Sequence, residues 1–187
     1  MILLVDLCYR PESLSHPEFV SPIRRIVERS GMIVQVVHYL EPDPVPAGIS
    51  GIILCGTALK DNGYLEHPDR FDWIGEVSIP VLGICAGMQA LARLLGGEVV
   101  EAPEIGMTDV AVTRKDEIIG AERIFSAYEL HTFGVTLPPG CRELARSEAC
   151  IQAFRHREKK WWGVMFHPEV RNDWVVERFV QVIGADR

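Results

Sequence analysis

Apolar residues follow two different patterns along this chain. In the first half they come as short unbroken runs at Met1–Asp6, Met32–His38, Gly51–Cys55 and Pro80–Ile84. Runs of that length, rich in Val, Ile and Leu, predict strands buried on both faces of a parallel sheet. Segments of helical spacing lie between them. Ser21–Ser30 (SPIRRIVERS) predicts an amphipathic helix, with Ser21 as its N-cap, Pro22 at its first position and Gly31 as its stop. Asp69–Glu76 and Gly87–Leu95 predict two more helices, and the three prolines of Glu41–Gly48 predict a loop. Strands alternating with helices imply a doubly wound α/β sheet.

The second half changes character. Short strands are predicted at Val99–Val100, Met107–Thr113, Ser126–His131, Gly134–Leu137, Glu143–Ser147, Cys150–Arg155 and Trp161–Phe166. Pro138-Pro139-Gly140 is a turn signal. Asn172–Ile183 predicts a closing helix with Val175, Val176, Phe179, Val180 and Ile183 on one face. Trp161, Trp162 and Trp174 are expected to pack in the core. No repeat or linker divides the sequence, so residues 1–187 are expected to form a single α/β domain with added β-strands.

Composition narrows the function classes. A net charge of −7 argues against a nucleic-acid surface. The basic run Arg155–Lys160 is interrupted by Glu158 and reads as a solvated hairpin turn. No apolar stretch reaches the ~18 residues needed to cross a membrane. The N-terminus shows no basic leader, so a cytoplasmic protein is expected. The five cysteines (Cys8, Cys55, Cys85, Cys141 and Cys150) are scattered and form no C-x-x-C pair. Four of them read as small core hydrophobes.

Cys85 stands apart. Gly83-Ile84-Cys85-Ala86-Gly87-Met88-Gln89 joins a predicted strand to a predicted helix. A cysteine framed by glycines at such a turn has the form of a nucleophile elbow. The glycines permit the sharp turn, and the helix start aims N–H groups at the sulfur, a setting that favours thiolate. A nucleophile needs a base and an orienter. Downstream, His167-Pro168-Glu169 places two candidates two residues apart. Proline favours extended chain before it, which puts His167 and Glu169 on one side, with Cys85 free to face the other ring nitrogen.

G-x-C-x-G-x-Q followed by H-P-E resembles the class I glutamine amidotransferases, over nearly the whole chain. The resemblance implies a flavodoxin-like, mostly parallel central sheet flanked by helices. It implies hydrolysis of L-glutamine through a Cys85 thioester, with His167 shuttling protons and Glu169 holding its tautomer. Ala86 and Thr57 would supply the two oxyanion-hole N–H groups. Gly56, Gln89 and His131 would contact glutamine. Thr57-Ala58 stands where the family writes Gly-Pro, and a β-branched residue tolerates a positive φ poorly. No metal and no cofactor are called for.

The segments Tyr128–Val135, Leu137–Gly140, Leu144–His156 and His167–Val170 further resemble the glutaminase branch of GMP synthases. Leu130, Phe133 and Met165 depart from that branch. The chain has no Walker-type loop and no room for a synthetase, so ammonia would pass to a separate chain, with the ATP-pyrophosphatase subunit of GMP synthase as candidate. A class I amidotransferase serving a different acceptor remains an alternative. So do a γ-glutamyl hydrolase-like cysteine hydrolase and a glutamine sensor.

Overall fold

A computed structural model describes residues 1–11, 13–41 and 46–185. Residues 42–45 of the expected Glu41–Gly48 loop lie outside them. The first half alternates as its apolar runs predict. Strands β1 (Ile2–Asp6), β2 (Val34–His38), β3 (Gly51–Leu54) and β4 (Val81–Ile84) are joined by helix α1 (His16–Arg29), helix α2 (Gly63–Glu66) and a 3-10 segment, Pro68–Glu76. Helix α3 (Ala86–Leu94) follows β4 directly. The second half gives β5 (Val99–Val112), β6 (Ile124–Val135), β7 (Cys141–Arg146), β8 (Ile151–His156) and β9 (Trp161–Val164), closed by α4 (Trp174–Ala185).

These strands build one nine-stranded sheet in the order β2-β1-β3-β4-β9-β8-β7-β5-β6. From β2 to β9 every pairing is parallel; from β9 to β6 every pairing is antiparallel. The sheet curls so that β6 returns to the ends of β4 and β9. His167 N–H donates to the Tyr128 carbonyl at 2.9 Å across that closure. Apolar residues fill both faces. Ile23, Val27, Val176 and Phe179 from α1 and α4 pack with Trp162 on one side. Leu91 of α3 and Phe71 of the 3-10 segment pack with Trp161 on the other. Trp161 and Trp162 are core residues, as the sequence predicts, and Trp174 is half-buried, edge-on to Phe125 at 5.5 Å.

Three expectations are corrected. Helix α1 begins at His16, not Ser21, and Pro22 lies inside it. Burying Phe19 and Val20 beside Ile23, Ile26 and Val27 offsets the one intrahelical bond that Pro22 cannot make. The four short strands predicted between Val99 and Leu137 are two long ones. A register shift between Glu101 and Glu104, together with Gly106 at φ +106°, bends β5 without ending it. The basic run is not merely solvated. Arg155 pairs with buried Asp116 at 3.2 Å, and Lys159 bonds the Gly75 carbonyl at 3.0 Å while lying 3.9 Å over Trp161. Both cations anchor the sheet and offer no basic surface.

Candidate active site

Local sterics build the elbow. Cys85 has φ 49° and ψ −106°, and it is the one non-glycine residue with positive φ among the described residues. Its N–H donates to the Val164 carbonyl of β9 at 2.8 Å, which pins the strained residue to the sheet. Such a conformation costs about 1–3 kcal/mol and persists only where the surroundings enforce it. The flanking glycines are demanded by close approach. A Cβ at Gly83 would lie 2.5 Å from the Gly87 carbonyl oxygen, and one at Gly87 would strike the Leu54 carbonyl of β3. The thiol is 3 % exposed and donates weakly to the Leu130 carbonyl of β6 at 3.8 Å.

The histidine arrives from the loop after β9. His167 is fully buried, and its Nδ1 lies 2.7 Å from Glu169 Oε1, a carboxylate that is itself 2 % exposed. Nε2 has no hydrogen bond of good geometry to a protein group, and the Cys85 thiol acts on the ring from that side. Burial opposes a charged ring here. The charges of Glu169 and Cys85, with hydrogen bonding to both, outweigh it, and His167 holds its proton well above the ordinary histidine value. The Phe19 ring covers the imidazole, with centroids 5.3 Å apart. Nucleophile, base and orienter thus meet from distant positions in the chain, in the arrangement predicted from Cys85, His167 and Glu169.

The remaining predicted residues surround this core in other ways. Gly56 makes room for it: a Cβ there would lie 2.8 Å from His167 Cε1 and 3.5 Å from Cys85 Cβ. Its place in the structure is packing against the catalytic pair and not a glutamine contact. Thr57 is buried and does not adopt positive φ, so its β-branched side chain brings no strain of that kind. Its hydroxyl donates to Asp61 Oδ2 at 2.9 Å and fixes the loop after β3. Ala86 opens α3 beside the sulfur.

Gln89 is fully engaged. It accepts from the Tyr64 hydroxyl at 2.5 Å and donates to the Phe133 carbonyl at 2.9 Å, tying α3 to α2 and β6. His131 borders the pocket, but its imidazole is buried beside Glu129 at 3.2 Å and Glu104 at 3.5 Å. Contact between His131 and glutamine would therefore run through its main chain. Thr57, Asp61, Tyr64, Gln89, Leu130 and Phe133 line a narrow pocket over Cys85. Its free volume is about 10 Å³, room for about one water molecule.

Sequence reasoning missed Tyr64, which carried no signal beyond being aromatic, and the carbonyls of Tyr128 and Leu130, which side-chain patterns cannot reveal. It also missed the buried cluster behind the pocket. Glu104, His131 and Cys150 bring three potential metal-ligating atoms within 4.8 Å of one another. Glu104 Oε2 already accepts from Gln152 at 2.8 Å and from the Ser147 hydroxyl at 2.9 Å. Burial, reinforced by the charge of Glu104, holds the Cys150 thiol protonated. The cluster is satisfied as a polar network and gives no reason to invoke a metal.

An α/β sheet that presents a strained cysteine at a strand–helix turn, facing a carboxylate-held histidine, defines an enzyme built on a cysteine elbow. Comparison with known proteins makes this specific. The family model described as Glutamine amidotransferase class-I matches residues 16–174, and the chain belongs to that family of glutamine-hydrolysing enzymes. The corresponding glutamine-hydrolyzing GMP synthase subunit of Pyrococcus abyssi is 35 % identical over 162 residues, covering 82 % of this chain and 85 % of the relative. Its counterpart from Methanosarcina acetivorans is 32 % identical over 179 residues, covering 90 % and 93 %. A solved structure from Thermoplasma acidophilum, described as a subunit of GMP synthase, superposes with TM-score 0.87 at 26 % identity, covering 100 % of this chain and 94 % of that one.

Proposed function

We propose that this chain is the glutaminase of a two-chain, GMP synthase-like amidotransferase, acting as one domain over its length. The observation that carries the reading is the buried His167–Glu169 pair beside the strained Cys85. The similarity to two GMP synthase subunits over most of their length supports the choice of branch. Cys85 Sγ attacks the side-chain amide carbon of glutamine. Ala86 N–H and Thr57 N–H hold the oxyanion, and His167 gives its proton to the departing ammonia. Water, deprotonated by the same histidine, then cleaves the glutamyl thioester. Glutamate leaves and the thiol is restored. Glu169 keeps Nδ1 protonated so that Nε2 serves both steps. Gln89 and the main chain of Leu130–Phe133 shape the pocket for the glutamine backbone.

The ammonia is consumed by a separate synthetase chain, for which an ATP-pyrophosphatase acting on xanthosine monophosphate is the candidate. The narrow pocket and the thiol turned to Leu130 describe a resting state, so turnover is low until that chain docks. Losing one oxyanion donor costs about 10²–10³ in rate, and activation of that order is expected. The test is glutamate release by the purified chain, alone and with an ATP-pyrophosphatase chain, ATP and xanthosine monophosphate, with Cys85→Ala as blank. Cys85-dependent turnover that rises with the partner supports the assignment. Cys85-dependent turnover indifferent to it moves the search to another acceptor. No Cys85-dependent turnover in either condition refutes the reading.

A further inference from the structure

The two long strands β5 and β6 have unlike faces. Inward, Val110, Phe125 and Ala127 are buried. Outward, Ile105 and Met107 are 67 % and 52 % exposed, and Ile124 is 60 % exposed. Register sets Ile105 opposite Leu130, Met107 opposite Tyr128 and Ala111 opposite Ile124, so these side chains share one face. Other exposed apolar residues, such as Leu14 and Ile33, are scattered outside this hairpin and need no explanation. A contiguous apolar strip marks an interaction site.

Two features say what covers it. The strip runs into the pocket, because Leu130 lies both on it and in the pocket wall. Exposed acids, Glu101 and Asp109, bracket it along β5 on a chain of net charge −7. We propose that this strip is the docking face for the ammonia-accepting synthetase, a partner presenting an apolar patch rimmed by basic side chains. The proposal rests on the glutaminase reading above. Ammonia released at Cys85 escapes unless the acceptor sits at the pocket mouth, and the strip adjoins that mouth. Docking there also acts on the site directly. The Leu130 carbonyl receives the thiol and the Tyr128 carbonyl receives the His167 N–H. Pressure on this stretch of β6 shifts both contacts together.

The test compares wild type, the double variant Ile105→Asp/Met107→Asp, the charge variant Glu101→Lys/Asp109→Lys and the control Leu14→Asp. Each is assayed for glutamate release alone and with the ATP-pyrophosphatase chain, ATP and xanthosine monophosphate. Affinity for that chain is measured by titration and self-association by sedimentation. The apolar variant is expected to keep basal turnover within about twofold, lose the partner's stimulation and bind about 30-fold or more weakly, as for a hot-spot loss. The charge variant keeps the apolar strip, so it guards against misfolding of the first; its association is expected to slow, most at low salt. The control behaves as wild type.

Full stimulation of the apolar variant overturns the proposal, and so does loss of its basal turnover. A wild-type dimer that the apolar variant dissolves assigns the strip to a second copy and overturns it as well. If wild type turns over glutamine but ignores the synthetase, the acceptor assignment fails and this docking face falls with it. If wild type binds and responds while the variants do too, only the docking face fails.

Discussion

The two halves of the sheet divide the labour of the molecule. In the parallel half, β1, β3, β4 and β9 are buried along their whole length. With helices on both faces, such strands have no solvent side and little freedom to move. That half carries the nucleophile at the end of β4 and delivers the His-Pro-Glu segment from the end of β9. In the antiparallel half, β5 and β6 alternate buried and exposed positions. That half supplies the pocket wall, the carbonyls that meet Cys85 and His167, and an outer face open to a partner. A strained cysteine needs the first setting, because only an over-determined frame holds φ 49° in place. An adjustable wall needs the second.

Substitution at Cys85 gives the largest contrast between the halves. Cys85→Ala and Cys85→Gly are both expected to lower glutamine turnover by about 10⁴-fold or more. They should differ in stability. Glycine accepts the positive φ, so Cys85→Gly is expected to unfold about 1 kcal/mol harder than Cys85→Ala in urea. Equal stability of the two variants would mean the parallel frame imposes no strain.

Glu169→Gln is next, with an expected loss of about 10²–10⁴ in kcat. It also has a pH signature. His167 binds its proton more tightly folded than unfolded, with Glu169 the foremost group raising it against burial. The stability from this pair is therefore full below the unfolded value of about 6.5 and is lost as pH rises through the folded value. The stability gap between wild type and Glu169→Gln should be wide at about pH 6 and narrower at about pH 9, measured by chemical denaturation. A gap that widens with pH would show that His167 is buried neutral.

Gly56→Ala sharpens the comparison further. Its methyl would press on His167, where the parallel frame cannot yield, so about 1–3 kcal/mol of stability and at least about tenfold in turnover are expected to go. Ala111→Lys, on the outward face of β5, marks the lower end. Its melting temperature and turnover should barely move, within about 0.5 kcal/mol. A large effect there would mean that the antiparallel half is packed as tightly as the parallel one.

Legibility followed the same division. Unbroken apolar runs located β1, β3 and β4 to within a residue or two, because burial on both faces writes itself directly into local sequence. Alternation along β5 and β6 was visible only in pieces. Pro103 and Gly106 interrupted it, and a long strand that bends looks locally like two short ones. Pro22 misled in a similar way: it reads as a helix start, and only the packing of Phe19 and Val20 moved that start to His16. Gly56 and Gln89 were singled out for the right neighbourhood. What each touches could not be read from their spacing.

Residue order was enough to specify the chemistry: a glycine-framed cysteine, a histidine and a glutamate held around a proline, and the parallel strands that carry them. These features depend on backbone sterics and hydrophobic periodicity over a few residues, which any short window of the chain states. Folding in three dimensions was needed to bring β6 back so that Leu130 meets Cys85 and Tyr128 meets His167. It also made Gly56 the space beside the imidazole, buried His131 against Glu104 and Glu129, and left Ile105 and Met107 facing outward beside the pocket. Each of these is a matter of residues far apart in the chain. Such relations are fixed by how the sheet closes and which face its curvature buries, and no local pattern encodes that.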